Sequence, residues 1–347
     1  MNISFKVQYF LLATFIGFGV IFTAHADPDK AQITVLYDAF GKPSNLTKDW
    51  GFSAYIEYGD KRILFDTGNN ANIFAHNVKE KGINLSKLDF AIVSHRHGDH
   101  AAGVTHLIEV NPELPIYVPK ENFSLFGAAL PGKFLKPNDS LPAEMRYFDG
   151  QVPERLTFGS AWPDGNFQLV TGNMEIAPGF HLILLKGPWG VDLDVMEISL
   201  AIDTPDGTVV VVGCSHPTLE KVVEAAAAEI TGKPILLVLG GTHLLPASDD
   251  EINRIAVNLR DQMGVGYIAP AHCTGETAFG LLKQAFGDHY IYAGLGSSIQ
   301  LGKEIVALDI NGNLHAANLL SADETKIYRE MALTSHDLQE NLLAFNQ

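Results

Sequence analysis

The stretch IVSHRHGDHAAG, residues 92–103, decides the fold prediction for this chain. Within six positions it gathers four candidate metal ligands, which are His95, His97, Asp99 and His100. Imidazole nitrogens and carboxylate oxygens suit zinc, iron or manganese. The apolar run that leads into the stretch predicts a buried strand, and we expect the four side chains to lie on a turn after it. The stretch therefore predicts a metal site at the end of a strand.

Three later segments repeat the pattern of a buried strand followed by a loop that carries histidine. They read TVVVVGCSH, PILLVLGGTHL and GYIAPAHCTG, and their histidines are His216, His243 and His272. Functional side chains collect at strand ends in layered α/β folds, because the loops there vary on a rigid scaffold. A lone histidine after a strand is more often structural. Beside the first four ligands, however, these three histidines become candidates for completing a two-metal site.

Hairpin and helix signals surround these strands. GFSAYIEYGDKRILFDTG predicts a hairpin that turns at Gly59 and Asp60, because apolar residues alternate on either side. NIFAHNVKEKG predicts a helix that ends at Gly82, and PTLEKVVEAAAAEITG predicts another with Pro217 in its first turn. The alternation of strands and helices predicts an α/β protein.

Residues 120–190 are the least regular part of the chain, rich in proline, glycine and aromatic residues. An insertion of this length either forms a substrate wall or lid, or simply fills one side of a sheet. Its aromatic candidates for an apolar wall, each with core packing as the alternative, are Phe123, Phe126, Phe134, Trp162 and Trp189. The last segment, 321–347, predicts one or two amphipathic helices.

Composition narrows the partners. The chain has 347 residues and is 46% hydrophobic, which is typical of a globular protein with a substantial core. Its formal net charge is −16, which disfavours nucleic acid because polyanions are repelled. A small-molecule substrate is the remaining expectation.

The first 26 residues predict a signal peptide. Lys6 precedes the apolar run YFLLATFIGFGVIF, and Ala24 and Ala26 form an A-x-A cleavage site. The run is short for a membrane span, although an uncleaved anchor is the alternative. We expect a mature protein that starts near Asp27, is periplasmic or secreted, and has no stable membrane insertion after cleavage. The main domain then covers residues 27–320.

The chain has two cysteines, Cys214 and Cys273, and each stands beside a histidine. A disulfide is the ordinary expectation for an exported protein. The neighbouring histidines indicate the alternative, two cysteines close to one metal site.

These motifs together resemble the metallo-β-lactamase fold superfamily. HxHxDH behind a strand, with FDTG before it, carries the resemblance over about residues 32–302. GCSH, GGTHL and AHCTG, in that order, resemble the branch of the dihydropterin-ribofuranosylaminobenzene phosphate synthases and related metal-dependent hydrolases. The resemblance implies an α/β fold, a four-layer αββα sandwich with the metals at one edge.

The resemblance also implies a ligand set. It assigns a first metal to His95, His97 and His216, and a second to Asp99, His100 and His272. Many superfamily members have a bridging aspartate where this chain has Cys214, so Cys214 is a soft ligand, a neighbour of the ligands, or inert. One tightly held and one weakly held metal is therefore an expectation. Asp66 would support the ligand loop, and His243 would face substrate or support a ligand.

The implied activity is metal-dependent hydrolysis. A divalent metal lowers the pKa of a bound water from about 16 to about 7, and the metal is expected to be zinc, with iron or manganese as alternatives. Asp99 is the expected catalytic residue, which orients the water or accepts its proton on an ester, lactone or phosphoester substrate. The alternatives are a synthase-like transferase, iron oxygen chemistry and a non-catalytic metal-binding protein.

Overall fold

A computed structural model describes residues 31–121, 124–136, 138–187, 195–309 and 311–313. The expected signal peptide at 1–26 and the expected helices at 321–347 lie outside the described residues, as do Phe123 and Trp189. The side chain of Phe134 is likewise not described. The limits of the main domain remain predictions.

The strands within the described residues are, in chain order, β1 Gln32–Tyr37, β2 Ser53–Tyr58, β3 Lys61–Phe65, β4 Phe90–Ile92, β5 Ile116–Pro119, β6 Ala128–Pro131, β7 Arg155–Phe158, β8 Phe167–Val170, β9 Met174–Ala177, β10 Phe180–Gly187, β11 Val195–Thr204, β12 Gly207–Val212, β13 Ile235–Gly241, β14 Tyr267–Ala271, β15 Ser298–Gln300 and β16 Val306–Leu308. The α-helices there are α1 Ala71–Glu80, α2 Gly98–Ala101, α3 Val104–Val110, α4 Leu219–Glu229, α5 Asp249–Val257 and α6 Glu276–Phe286. No helix in this described part has the length and apolar character needed to cross a bilayer.

Two mixed sheets dominate the fold. One has the strand order β16-β15-β1-β2-β3-β4-β5-β8, the other the order β14-β13-β12-β11-β10-β9, and β6 pairs with β7 separately. The expected hairpin is confirmed: β2 and β3 pair antiparallel, and Gly59 in the turn has a φ of 62°. Helix α4 begins at Leu219, so Pro217 precedes it instead of lying in its first turn.

Strict alternation along the strands builds the four layers. In β12, Val209 and Val211 point into the core between the two sheets, whereas Val210 and Val212 pack under α4, α5 and α6. In β3, likewise, Leu64 joins the core beneath α1 and α3 on the outer face of the first sheet. The layers are therefore helix, sheet, sheet and helix, which confirms the predicted αββα sandwich.

The region predicted to be irregular, 120–190, holds regular strands in its second half. Strand β8 forms an edge of the first sheet, and β9 and β10 complete the second. The pattern was hard to recognise because β8 and β9 are only four residues long and tight turns near Gly172 and Gly179 separate the three strands. Among the described residues of this region, the irregular part lies between β5 and β8.

The strands that carry the predicted site residues end at a common edge. Strands β3 and β4 are parallel in the first sheet, and β12, β13 and β14 are parallel in the second. The backbone N–H of Ile198 in β11 donates to the carbonyl of Ser94 at 2.8 Å, which joins the two sheets at this edge. The loops after these five strands therefore face one another.

Candidate metal centre

The ligand motif divides between a loop and a short helix. His95 and His97 follow β4, whereas Asp99 and His100 lie within α2, so the expected single turn is wrong for the last two. The physical reason is hydrogen bonding of helical type, with the Ala102 N–H donating to the carbonyl of Gly98 at 2.9 Å. The helix places the ring of His100 against both His95 and His272, with ring centres 4.2 and 4.8 Å apart.

The first donor set is His95, His97 and His216. The Nε2 atom of His95 lies 3.0 Å from Nδ1 of His97, and the His97 and His216 rings are 4.8 Å apart at their centres. The His95 side chain is fully buried, and its Nδ1 atom lies 2.9 Å from the hydroxyl of Ser94. This contact leaves Nε2 of His95 facing the other two rings.

The second donor set is Asp99, His100 and His272. The two imidazoles approach each other through their Nε2 atoms at 3.2 Å. The Oδ2 atom of Asp99 lies 3.3 Å from Nε2 of His272 and 3.9 Å from that of His100. The six residues that the sequence assigned to metals therefore converge, in the two groups that were expected.

Cys214 lies between the two sets. Its sulfur is 3.2 Å from Nε2 of His100. Cys214 belongs to two compact ligand groups, one with His95 and His216 and the other with His100 and His272. In each group the donor atoms lie within 4.8 Å of one another. Cys273 is next to it, with 3.3 Å between the two sulfurs. Both cysteines are buried free thiols, so the structure has two cysteines near one site.

Asp66 supports the ligand loop. Its carboxylate accepts hydrogen bonds from the Ser94 N–H at 2.6 Å, the Ser94 hydroxyl at 2.8 Å and Nδ1 of His100 at 2.7 Å. Gly213 permits this packing, because a Cβ atom there would lie 2.2 Å from the Ser94 hydroxyl oxygen. The position agrees with the supporting role expected for Asp66.

Glu197, on β11, orients His216 by accepting a hydrogen bond from its Nδ1 atom, as Asp66 does for His100. The sequence did not predict this role. Its carboxylate accepts from Nδ1 of His216 and from the backbone N–H groups of Cys214, Ser215 and His216, each at 2.8 Å. Its available signal was an acid near the start of the largely apolar strand VMEISLAIDT. A buried charge there needs a dedicated partner.

Two further residues were missed. Asp38, fully buried after β1, accepts the backbone N–H of His272 at 2.9 Å, and burial raises the pKa of this carboxyl to about 7. Trp50 packs against the side chain of the same histidine, with ring centres 4.9 Å apart and the rings tilted by 52°. Neither stands in a recognisable motif.

Burial and neighbouring charges set the protonation of the ligands. Burial lowers the pKa of His95 far below its usual value, and burial followed by the proximity of His216 lowers the pKa of His97 to about 4. Burial alone would also lower the pKa of His100, but the Asp66 carboxylate raises it to about 9. His95 and His97 are thus neutral imidazoles at neutral pH, whereas His100 must lose a proton to bind a cation.

Backbone geometry at the strand ends is unusual. Asp66 after β3, Ser215 after β12, His243 after β13 and His272 after β14 have φ values of 58°, 63°, 53° and 48°. Non-glycine residues rarely adopt this left-handed conformation, which costs of order 1–3 kcal/mol at each position. Each of these loops therefore turns sharply back over the end of its strand, toward the ligands.

The mouth of the site is formed by Asp99, His243 and Trp50. The Asp99 side chain is 21% exposed. Burial alone would raise the pKa of this carboxyl, but hydrogen bonding to His272 and the charge of His100 outweigh burial and hold the pKa below its usual value, so the carboxylate is ionised. The ring of His243, half-buried, lies 4.8 Å from that of His216, and Trp50 is 43% exposed. These three side chains can meet a substrate.

The aromatic residues that were expected to form a substrate wall do not contribute to the mouth where the structure describes their side chains. Phe126 is buried and stacks on Trp162, and both pack with Phe167 in the core beneath α3. Core packing, the alternative expectation, therefore describes Phe126 and Trp162.

The donor atoms fit a metal. The Nε2 atom of His100 lies 3.2 Å from Nε2 of His272 and 3.2 Å from the sulfur of Cys214 in a buried space, and each of the three atoms can offer a lone pair once it is deprotonated. In the described residues, the buried Nδ1 of His272 has no hydrogen-bond partner, so this ring has no competing contact that would turn its Nε2 away from the centre. A divalent cation satisfies all these lone pairs together.

Comparison with known proteins identifies relatives of the whole domain. The family model described as the metallo-beta-lactamase superfamily matches residues 49–272. The chain is 30% identical to the 7,8-dihydropterin-6-methyl-4-(beta-D-ribofuranosyl)-aminobenzene-5'-phosphate synthase of Methanocaldococcus jannaschii, over 74% of this chain and 92% of that protein. It is 27% identical to an uncharacterized protein of the same organism, over 72% and 92% of the two chains.

A solved structure is similar as well. The crystal structure of Tm1679, a metal-dependent hydrolase of the beta-lactamase superfamily, superposes with a TM-score of 0.57 at 26% identity. The match covers 78% of this chain and 99% of that one. Both the expected fold and the expected branch are thereby confirmed.

Proposed function

The chain belongs to the metallo-beta-lactamase superfamily, and on that premise we propose that it is an exported metal-dependent hydrolase of an ester, lactone or phosphoester. The family supports an enzyme and a divalent metal. Hydrolysis, the substrate class and export are our proposals.

The observation that carries the proposal is the convergence of two donor sets, of which one member, Asp99, is an ionised carboxylate that is partly exposed. Nitrogen and sulfur donors lie deep in the site, and the Asp99 carboxylate stands at its mouth, partly exposed. When bound, metals in such a site supply a water of lowered pKa and stabilise charge on a reacting oxygen. Asp99, within reach of the same space, hydrogen-bonds the attacking water and takes its proton.

The donor chemistry favours zinc among the expected metals, with iron next. Imidazole and thiolate are borderline to soft ligands, which manganese binds less well than zinc. Glu197 and Asp66 hold His216 and His100 in fixed orientations, and such support strengthens metal binding.

The test joins elemental analysis with a substrate screen. Purified protein is analysed for bound metal and assayed on phosphodiester, lactone and thioester substrates. We expect stoichiometric metal and turnover on at least one of the three, and protein free of metal after growth in supplemented medium would overturn the proposal.

The variant Asp99→Asn sharpens the same test. It removes the proton acceptor while keeping the size of the side chain, so kcat should fall by at least about 100-fold. Asp60→Asn is the matched control, because Asp60 is 85% exposed on a hairpin turn and far in sequence from the ligands. Circular dichroism establishes that both variants are folded, and an active Asp99→Asn enzyme would contradict the assignment.

Export rests on the amino-terminal pattern. Lys6, the apolar run and the A-x-A site support cleavage before Asp27. Amino-terminal sequencing of the protein recovered from a periplasmic or secreted fraction should give a start near Asp27. A full-length product retained in the cytoplasm contradicts this part of the proposal.

A second candidate is a transferase, because the relative with 30% identity is named as a synthase. Export disfavours it, since an exported protein would not meet a cytosolic pterin intermediate. The net charge of −16 likewise disfavours a nucleic-acid substrate. Formation of the compound for which the relative is named, in a reaction with purified protein, would favour the synthase over hydrolysis.

A further inference from the structure

We propose that Cys214 is a shared ligand, whose thiolate binds both metals and links the first donor set to the second. The inference deepens the metal centre of the proposed function and rests on metal binding, but it does not depend on which bond is hydrolysed.

The position of Cys214 carries the inference. Among the described residues, two compact groups of buried ligands are present, one with His95 and His216 and the other with His100 and His272, and Cys214 is the member common to both. Its sulfur is 3.2 Å from Nε2 of His100. A donor that belongs to both groups stands where one atom can contact two ions.

The backbone fixes this position. The N–H groups of Cys214 and Ser215 both donate to Glu197 at 2.8 Å, and the Ser215 hydroxyl donates to the carbonyl of Gly241 at 2.8 Å. Cys214 directly follows the Gly213 that packs against Ser94. The sulfur is therefore held between the two sets by the same contacts that orient His216.

The chemistry of a shared thiolate is distinctive. On metal binding the thiol proton leaves to water, and the sulfur has enough lone pairs to bind two cations. A shared anion offsets repulsion between the two ions, so the second metal should depend on Cys214. The sulfur also selects for zinc, cobalt or iron over magnesium.

Cys273 provides a matched comparison. It is also a buried free thiol, its sulfur is 3.3 Å from that of Cys214, and its S–H can donate to that sulfur and to the Cys214 carbonyl at 3.7 Å. It belongs to neither ligand group. Cys273 is thus placed to donate a hydrogen bond to the proposed ligand without binding a metal itself.

The experiment titrates metal-free protein with Co²⁺ and follows the near-ultraviolet charge-transfer absorption of a thiolate bound to cobalt. In the unmodified chain we expect this absorption to grow over two equivalents of cobalt. Growth over one equivalent alone would make Cys214 a ligand of one metal and overturn the shared assignment.

Variants identify the sulfur. Cys214→Ser should abolish the absorption and reduce bound cobalt from two ions to one, whereas Cys273→Ser should retain both. Cys214→Asp, with an oxygen donor of similar reach, should restore two ions without the absorption, and it keeps the test valid should the serine variant fold poorly. Absorption that survives in Cys214→Ser, or is lost in Cys273→Ser, overturns the proposal.

These spectra are independent of turnover. A cobalt protein with the expected absorption and no hydrolysis on any substrate would refute the proposed function and leave the shared ligand standing.

Discussion

The two donor sets are built from similar side chains but are held in opposite ways. The first donor set depends on Glu197, a carboxylate from an antiparallel strand that accepts three backbone N–H groups besides His216. The second depends on Asp66, a fully buried carboxylate that accepts from Ser94 and His100. One support fixes the loop after β12, and the other fixes the loop after β4.

This difference indicates which of the two supports contributes more to the stability of the fold. Asp66 and His100 are both fully inaccessible to solvent, and their contact joins the loop after β3 to α2. Each set also has a partly exposed member, His97 in the first and Asp99 in the second. Loss of the Asp66 carboxylate should therefore cost stability, whereas a conservative change at Glu197 that keeps an acceptor oxygen should mainly cost metal affinity.

The largest expected effect comes from Asp66→Ala. Three buried donors, two on Ser94 and one on His100, would lose their acceptor, which should lower the free energy of unfolding by about 3–5 kcal/mol. Urea denaturation of the metal-free protein measures the change. Asp60→Ala, on an exposed turn, should change stability by less than about 0.5 kcal/mol, and an equal effect of both variants would break the comparison.

Glu197→Gln should act chiefly on metal. The amide retains one acceptor oxygen but presents an NH₂ group to backbone N–H donors, so His216 loses its fixed orientation. We expect affinity at the first donor set to fall about 10–100-fold. Competition with a chromophoric chelator measures this affinity, and an unchanged value would show that Glu197 serves folding alone.

The direction of the pKa shift separates His100 from His95, His97 and His272 in the metal-free protein. The pKa of His95 and that of His97 are lowered, mainly by burial, so these residues make stability rise with pH up to about 6.5. The pKa of His100, by contrast, is raised to about 9 by Asp66, so its contribution is full below pH 6.5 and is lost as the pH rises through 9.

Stability of the metal-free protein should therefore peak near pH 6.5 and fall by about 1 kcal/mol or more by pH 9. Urea unfolding across this range tests the shape of the curve. His100→Gln should flatten the alkaline side while leaving the acid side, and a wild-type curve that rises steadily to pH 9 would contradict the assigned protonation.

The smallest effect is expected at the mouth. Trp50 covers one face of His272 and is 43% exposed, so Trp50→Ala should raise KM several-fold with little change in kcat. Trp50→Phe, which keeps an aromatic surface, should behave nearly as wild type. A fall in kcat equal to the rise in KM would place Trp50 in the support of the second donor set instead.

The sequence was informative where function and fold use local patterns. Alternating residues located the hairpin of β2 and β3. HxHxDH and three later histidines gave seven candidates, from which the family resemblance selected the six residues that converge. Glu197 was not predicted, because its partner His216 is 19 residues away and no spacing rule links a strand residue to a loop residue. Trp50 was not predicted, because an isolated aromatic residue on a loop belongs to no periodic pattern.

The helical placement of Asp99 and His100 shows a different limit. The motif predicts ligands but not the backbone between them, since glycine at position 98 is compatible with a turn and with the start of a helix. Tertiary contacts settle the matter: the Thr67 N–H and the Phe52 N–H donate to the carbonyls of His100 and Asp99 at 2.8 and 3.1 Å.

The left-handed residues at the four strand ends have a consequence for how this enzyme can change. Asp66, Ser215, His243 and His272 occupy backbone conformations that β-branched residues avoid, so valine, isoleucine and threonine should be excluded there regardless of chemistry. Variation that creates a new specificity must arise elsewhere, on side chains such as Trp50 and the 59% exposed Leu245. Substitution is therefore restricted at the strand ends, where the backbone is left-handed, and less restricted at exposed side chains around the site.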